Sequence, residues 1–188
     1  MTIRTVAALV TAAVLAAAPA SASPPKLRGT PLSPPLKPPS FALRDQAGHL
    51  VRLSDYRGDW VVVTFLYTHC PDVCPLIATQ LNLALRQLGN DVHVLAISVD
   101  PKRDTRAAVR AFIRAHRLVP RFRYLTGTAK QLAPVWSGFH VAATPGGAIV
   151  SHSAYELLVD PRGAERVLYD AQVKAADVVH DVRALGGR

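Results

Sequence analysis

The stretch FLYTHCPDVCPLIATQLNLAL, residues 65–85, holds both cysteines of this 188-residue chain, Cys70 and Cys74. It overlaps the apolar, β-branched run WVVVTFLY, residues 60–67, whose lack of polar alternation predicts a strand buried on both faces. From Pro75 to about Leu88 the chain reads as a helix, and Pro75 suits its first turn because that turn needs no proline N–H. The cysteines therefore sit on a strand-to-helix connection stiffened by Pro71 and Pro75. In an α/β sheet the carboxyl end of a strand is where ligands bind. A helix start adds unpaired N–H groups and a positive dipole end, which favour thiolate over thiol. The spacing brings both sulfurs to one side, close enough to share a ligand or to oxidise to a Cys70–Cys74 disulfide. A purely structural staple fits poorly, because closing so short a loop removes only about 2 kcal/mol of unfolded-state entropy.

The surrounding elements alternate. VHVLAISV, residues 92–99, reads as a second buried strand, and a helix follows over Thr105–Arg117 with Asp104 available as its cap. TGTAKQLAPVW predicts a short helix that Pro134 bends or stops. AYELLVDPRGAERVLYDA predicts two strands joined by a turn at Asp160-Pro161-Arg162-Gly163, and a last helix covers about Ala171–Leu185. Near the front, FALRDQAGHLVRLSDYRG alternates and turns like a small hairpin. The pattern implies an α/β fold, a sheet with parallel strands and helices on both faces.

Compartment bounds what a cysteine pair does. Residues 1–22 carry Arg4, an apolar run from Val6 to about Ala18, and small residues from Ala20 to Ala22. This is the layout of a secretory signal, with cleavage expected after Ala22 and an uncleaved anchor as the alternative. Export, to a bacterial periplasm or the outer face of the inner membrane, would place the thiols where disulfides form. Residues 23–40 contain seven prolines in eighteen positions and read as an extended tail or linker outside the domain. Residues 41–188 form one domain, long enough to bury a core without disulfides. That domain carries 18 basic against 13 acidic side chains, a net of +5. Arg103, Arg106, Arg110, Arg114 and Arg117 recur at spacings of three and four, a basic stripe opposite Val109, Phe112 and Ile113. Such a stripe is either a solvated face or a dock for an acidic protein or membrane surface. No recognition motif for nucleic acid is present.

YTHCPDVCP, ISVDPKRDT, RYLTGT and HSAYELLVDPRG occur in this order, and together they resemble the Sco/SenC family from Phe41 to about Tyr169. The resemblance implies a thioredoxin-like three-layer fold, a central mixed sheet with helices on both faces and an added N-terminal β-hairpin. It also implies a copper chaperone that assists assembly of the binuclear copper centre of cytochrome c oxidase. The expected ligands are Cys70, Cys74 and the distant His152. The chemistry agrees: soft thiolates select Cu(I), and imidazole suits either Cu(I) or Cu(II). A third ligand accommodates Cu(II), and low coordination leaves a side open to a receiving protein.

Neighbouring residues are assigned lesser roles. His69 is read as lying behind the ligands or exposed, Asp72 as a helix cap between the cysteines, and Asp100 as a hydrogen-bonding residue around the site. His116 is expected at a core boundary, and His49, His93 and His180 at the surface or an edge, with His140 unassigned. Pro145 reads as a plain loop turn. The loop HVAATPGGAIVS lacks the acidic residues expected at a cation entrance. Expected partners are the copper-receiving oxidase subunit, another exported copper carrier or a thiol reductant, near a membrane. The alternative function is a thiol–disulfide oxidoreductase that reduces a partner's copper-receiving cysteines. The three-residue spacer counts against a general reductase, and His152 counts for metal.

Overall fold

The structure, a computed structural model, describes residues 25–144, 151–152 and 154–187, with Thr144, Ser151 and His152 as backbone only. Residues 1–22, expected to be a secretory signal, and Pro145 lie outside the described residues. The centre is β4 (Trp60–Leu66), in which every residue is buried. It pairs in parallel with β5 (Val92–Ser98), and β5 pairs in parallel with β6 (Phe122–Leu125). On its other side β4 pairs antiparallel with β9 (Tyr155–Val159), which pairs with β10 (Glu165–Asp170). β1 (Thr30–Leu36) closes that edge, giving a six-stranded mixed sheet in the order β1-β10-β9-β4-β5-β6. β2 (Ala42–Arg44) and β3 (Leu50–Arg52) form the expected hairpin, and β7 (Ala143–Thr144) with β8 (Ser151–His152) a second, shorter ribbon.

Two helices carry the parallel crossovers, α1 (Val73–Gln87) and α2 (Arg106–Ala115). Right-handed connection puts both on one face of the sheet. α4 (Ala175–Ala184) packs beside α1. α3 (Ala129–Gly138) covers the return from β6 to β9, where Phe65 meets Phe139 at 5.4 Å between ring centroids. α1 seats Ile77, Ala78, Leu81, Ala84 and Leu85 on the sheet, a helical repeat that buries one face and leaves Leu76 and Leu83 exposed. Each fully buried leucine or isoleucine contributes about 1.5–3 kcal/mol. Pro134 does not stop α3: the helix runs on to Gly138 with Pro134 on the exposed side. Leu132, Val135 and Trp136 bury the opposite side and outweigh the one lost backbone bond. Among the described residues no helix is long and apolar enough to cross a membrane.

The proline-rich segment departs from the sequence expectation. Thr30–Leu36 is not a tail but the edge strand β1, paired antiparallel with β10. Composition misleads here because an edge strand needs only one row of hydrogen bonds, which proline tolerates. A buried carboxylate anchors the segment. Asp181 of α4 accepts from Arg28 N–H at 2.8 Å, Gly29 N–H at 2.9 Å and the Tyr169 hydroxyl at 3.1 Å, and lies 2.8 Å from His180 Nδ1. Gly29 is required by close approach, since a Cβ there would lie 2.4 Å from Val167 Cγ1. The turn after β9 is as read from Asp160-Pro161-Arg162-Gly163. Asp160 Oδ1 accepts from Ala164 N–H at 2.9 Å, and Gly163 holds φ at 76°.

One buried acid lies in the middle of the sheet. Glu156 on β9 faces Thr64 on β4, whose hydroxyl donates to it at 3.3 Å, and its Oε2 has no hydrogen-bond partner among the described residues. Burial raises its pKa to about 8, so the carboxyl is protonated at neutral pH. The folded protein therefore binds one more proton than the unfolded chain between about pH 4.5 and 8. Stability from this group is full below that window and is lost as pH rises through it, by up to about 1.4 kcal/mol per pH unit. Glu156→Gln should flatten this slope in denaturant titrations at a series of pH values; an unchanged slope would contradict the assignment. Asp181→Ala leaves several donors unpaired and should cost about 3–5 kcal/mol, with protease cutting appearing first between residues 25 and 36.

Candidate metal centre

The cysteine loop leaves β4 at Tyr67 and enters α1 at Val73. Cys70 and Cys74 are both free thiols and both buried, Cys74 fully and Cys70 with 8% of its surface exposed. They touch: the Cys74 thiol and its backbone N–H, the latter at 3.4 Å, both donate to Cys70 Sγ. The expectation that two sulfurs at a helix start lie on one side is met.

Their environments push the two thiols apart. Burial raises the Cys70 pKa, but hydrogen bonds from Asp72 N–H, from Cys74 and from the Tyr67 side chain outweigh it and hold the thiol below its ordinary value. Cys74 has the opposite balance. Burial dominates and pushes its pKa far up, with Cys70 and Asp104 adding to the rise and only the Tyr67 backbone opposing it. The loop thus offers one thiol near the surface whose ionised form is favoured and one behind it whose ionisation burial opposes.

Asp72 takes the cap position but does not cap α1. Its φ of −136° and ψ of −85° carry the side chain outward, and no side-chain bond to the first turn forms. Its backbone N–H bonds Cys70 Sγ instead, and the sulfur also takes the Cys74 N–H that a capping oxygen would have taken. Asp104 does not cap α2 either; Thr105 does, accepting from Ala108 N–H at 3.2 Å. Asp104 is buried and gathers four donors: Thr68 N–H at 2.8 Å, the Thr68 hydroxyl at 2.7 Å, the Ser98 hydroxyl at 2.6 Å and the Tyr124 hydroxyl at 3.1 Å. Burial raises its pKa and these bonds oppose the rise. It thereby ties the cysteine loop to the ends of β5 and β6.

Asp100 is fully buried and its carboxylate pairs with Arg103 Nε. The Arg103 guanidinium lies 6.0 Å over the Tyr67 ring, and Tyr67 in turn bonds the Cys70 thiol. Asp100 reaches Cys70 through this chain, and its backbone is bonded to Asp104 and Ser98 as well. His69 is exposed, with Nδ1 at 3.0 Å from the Thr68 hydroxyl. His116 lies half-buried against Phe112 at 4.4 Å between ring centroids. His93 and His180 pair with Asp59 and Asp181, and His49 with Asp45, all away from the loop. His140 follows the α3 cap residue Phe139 with φ at 58° and is exposed. His152 is described at its backbone, paired with Ala143; its side chain lies outside the described part. Among the described side chains no group of three His, Cys, Asp or Glu converges as a metal site. The donor set that is described, two contacting sulfurs with one readily ionised, suits a soft cation such as Cu(I).

Sequence reading missed Tyr67 and Asp104 as parts of this site. Tyr67 reads as the last residue of an apolar strand, and Asp104 as a cap, because a contact across the sheet leaves no trace in local spacing. Asp104→Asn should weaken metal binding by about 10–100-fold, as loss of an orienting partner does. Asp72→Ala should change stability by less than about 0.5 kcal/mol, since no cap is lost. A loss of about 1 kcal/mol in thermal unfolding would restore the capping role.

Comparison with known proteins bears on what such a loop holds. A family model described as SCO1/SenC matches residues 30–186. The mitochondrial SCO2 homologue of Bos taurus is 35% identical over 154 residues, covering 76% of this chain and 57% of the relative. The human mitochondrial SCO1 homologue is 30% identical over 149 residues, covering 73% of this chain and 49% of the relative. The chain thus spans less than two thirds of these relatives' own length. Among solved structures, Bradyrhizobium japonicum ScoI with copper bound is 28% identical with a TM-score of 0.70, covering 78% of this chain and 98% of that one. Apo Sco1 of Thermus thermophilus is 33% identical with a TM-score of 0.73, covering 86% and 98%. The matched span takes in β1 as well as the cysteine loop and the segment before β9, and the chain belongs to the SCO1/SenC family.

Proposed function

We propose that this protein carries copper as cargo on Cys70, Cys74 and His152 and delivers it to the copper-receiving subunit of cytochrome c oxidase. The observation that carries the reading is the pair of contacting thiols on the loop after β4, in a chain similar to a Sco protein solved with copper bound. Strand register supports His152 as third ligand. β9 runs antiparallel to β4 with Glu156 opposite Thr64, so the start of β9, three residues after His152, lies at the carboxyl end of β4, from which the cysteine loop leaves. Two thiolates and an imidazole serve either copper oxidation state, and the near-surface position of Cys70 gives a receiving ligand a place to attack. An exported protein, released by cleavage after Ala22 or held at the membrane by an uncleaved leader, would meet that subunit outside the cytoplasm. Another exported copper carrier as donor is consistent with the same loop.

One observation favours a second reading. A depressed Cys70 thiol beside a strongly raised Cys74 thiol is the division of labour of an attacking and a resolving cysteine. In that role Cys70 thiolate would attack a partner disulfide, and Cys74 would release the mixed disulfide, leaving Cys70–Cys74 oxidised and the partner a dithiol.

Copper titration of the reduced protein separates the two. Delivery predicts one copper per chain, a thiolate-to-Cu(II) charge-transfer band, loss of both in Cys70→Ala and Cys74→Ala, and at least tenfold weaker binding in His152→Ala. No retained copper, together with dithiol exchange that His152→Ala leaves intact, would replace delivery by reduction.

A further inference from the structure

The geometry points to the exposed arginine row of α2 as the docking surface for an acidic protein partner whose edge reaches the cysteine loop. This rests on the delivery reading for the partner's purpose, while the surface itself is read from charge and position. No acidic residue occurs in the sequence between Asp104 and Glu156. The same span holds Arg106, Arg110, Arg114, Arg117, Arg121, Arg123 and Lys130. Two of these are used internally: Arg121 donates to the carbonyls of Leu85, Gly89 and Val92, and Arg123 pairs with Asp45. Arg106, Arg110 and Arg114 are exposed, and no ion pair among the described residues engages them. Spaced by four, they form one row along a helix whose other side buries Val109 and Phe112.

The row's position gives it a use. Beside it runs a groove of about 310 Å³ lined by Thr68, His69, Ala108, Ala111, Phe112 and Ala115, with His116 at its end. Thr68 and His69 form the wall opposite α2 and directly precede Cys70. A protein face laid along α2 and held by carboxylates on the arginines thus lies against Thr68 and His69, the residues that lead into Cys70. A bilayer could satisfy the arginines, but it brings no metal-binding side chain to the loop, so the arrangement favours a protein. Unneutralised charge of one sign steers encounter and raises association rates by ten- to a thousandfold at low salt.

The test uses the soluble copper-binding domain of the oxidase subunit as probe, with native protein and the triple variant R106Q/R110Q/R114Q, whose unfolding and copper titration serve as controls for folding. Stopped-flow association should slow at least about tenfold for the native protein between about 20 and 200 mM salt. The variant should associate about tenfold more slowly at low salt, with a flatter salt dependence and unchanged copper binding. Equal rates and equal salt dependence for the two proteins would overturn the inference. So would arginine-dependent binding to phosphatidylglycerol vesicles with salt-independent association to the domain. Arginine-dependent docking without copper transfer would keep the surface and sink delivery; transfer indifferent to the arginines would do the reverse.

Discussion

The carboxylate of Asp104 is the constraint on which the site depends. Parallel strands end in a row of backbone groups that have lost their ladder partners, and a loop leaving such an edge needs something to hold it. Asp104 holds it by accepting two bonds from Thr68, one from Ser98 at the end of β5 and one from Tyr124 on β6. Trp136 of α3 adds a bond to the Ser98 carbonyl at 2.9 Å, so the opposite layer is tied to the same point. Hydrogen bonds to a charged acceptor contribute about 1.5–3 kcal/mol each, enough together to fix a loop that the ladder no longer supports. The thiols then start from a defined place, two residues beyond Thr68.

From that fixed loop the chemistry of the sulfurs follows. Cys70 Sγ stands where a capping oxygen would, and the N–H groups of the first helical turn do for a thiolate what they do for a carboxylate. Cys74, the second residue of α1 and sealed by the core, has burial against it and keeps its proton. The asymmetry makes Cys70 the sulfur whose ionised form the loop favours. The outer chain Asp100–Arg103–Tyr67 reaches the same Cys70 sulfur.

Much of this was legible in the sequence because it rests on local pattern. The largely apolar run at residues 60–67 gave β4, the apolar spacing after Pro75 gave α1, and Asp160-Pro161-Arg162-Gly163 gave the β9–β10 turn. The family resemblance was carried by four short motifs in order, and the fold it implied is the one found. What was not legible rests on contacts between distant residues. The proline-rich segment looked like a tail, yet Asp181, over 150 positions away, holds Arg28 and Gly29 and makes Thr30–Leu36 a strand. Asp72 and Asp104 looked like caps because caps are local; one points outward and the other reaches across the sheet. The protonated Glu156 had no signal beyond an acid in an apolar strand.

X-ray absorption at the copper edge of the Cu(I)-loaded protein tests the central claim most directly. Two sulfur ligands and one imidazole nitrogen, with the nitrogen lost in His152→Ala and a sulfur lost in Cys70→Ala, is the result this account requires. A copper held by sulfur alone, unchanged in His152→Ala, or bound through the other histidines after both cysteines are replaced, would contradict it.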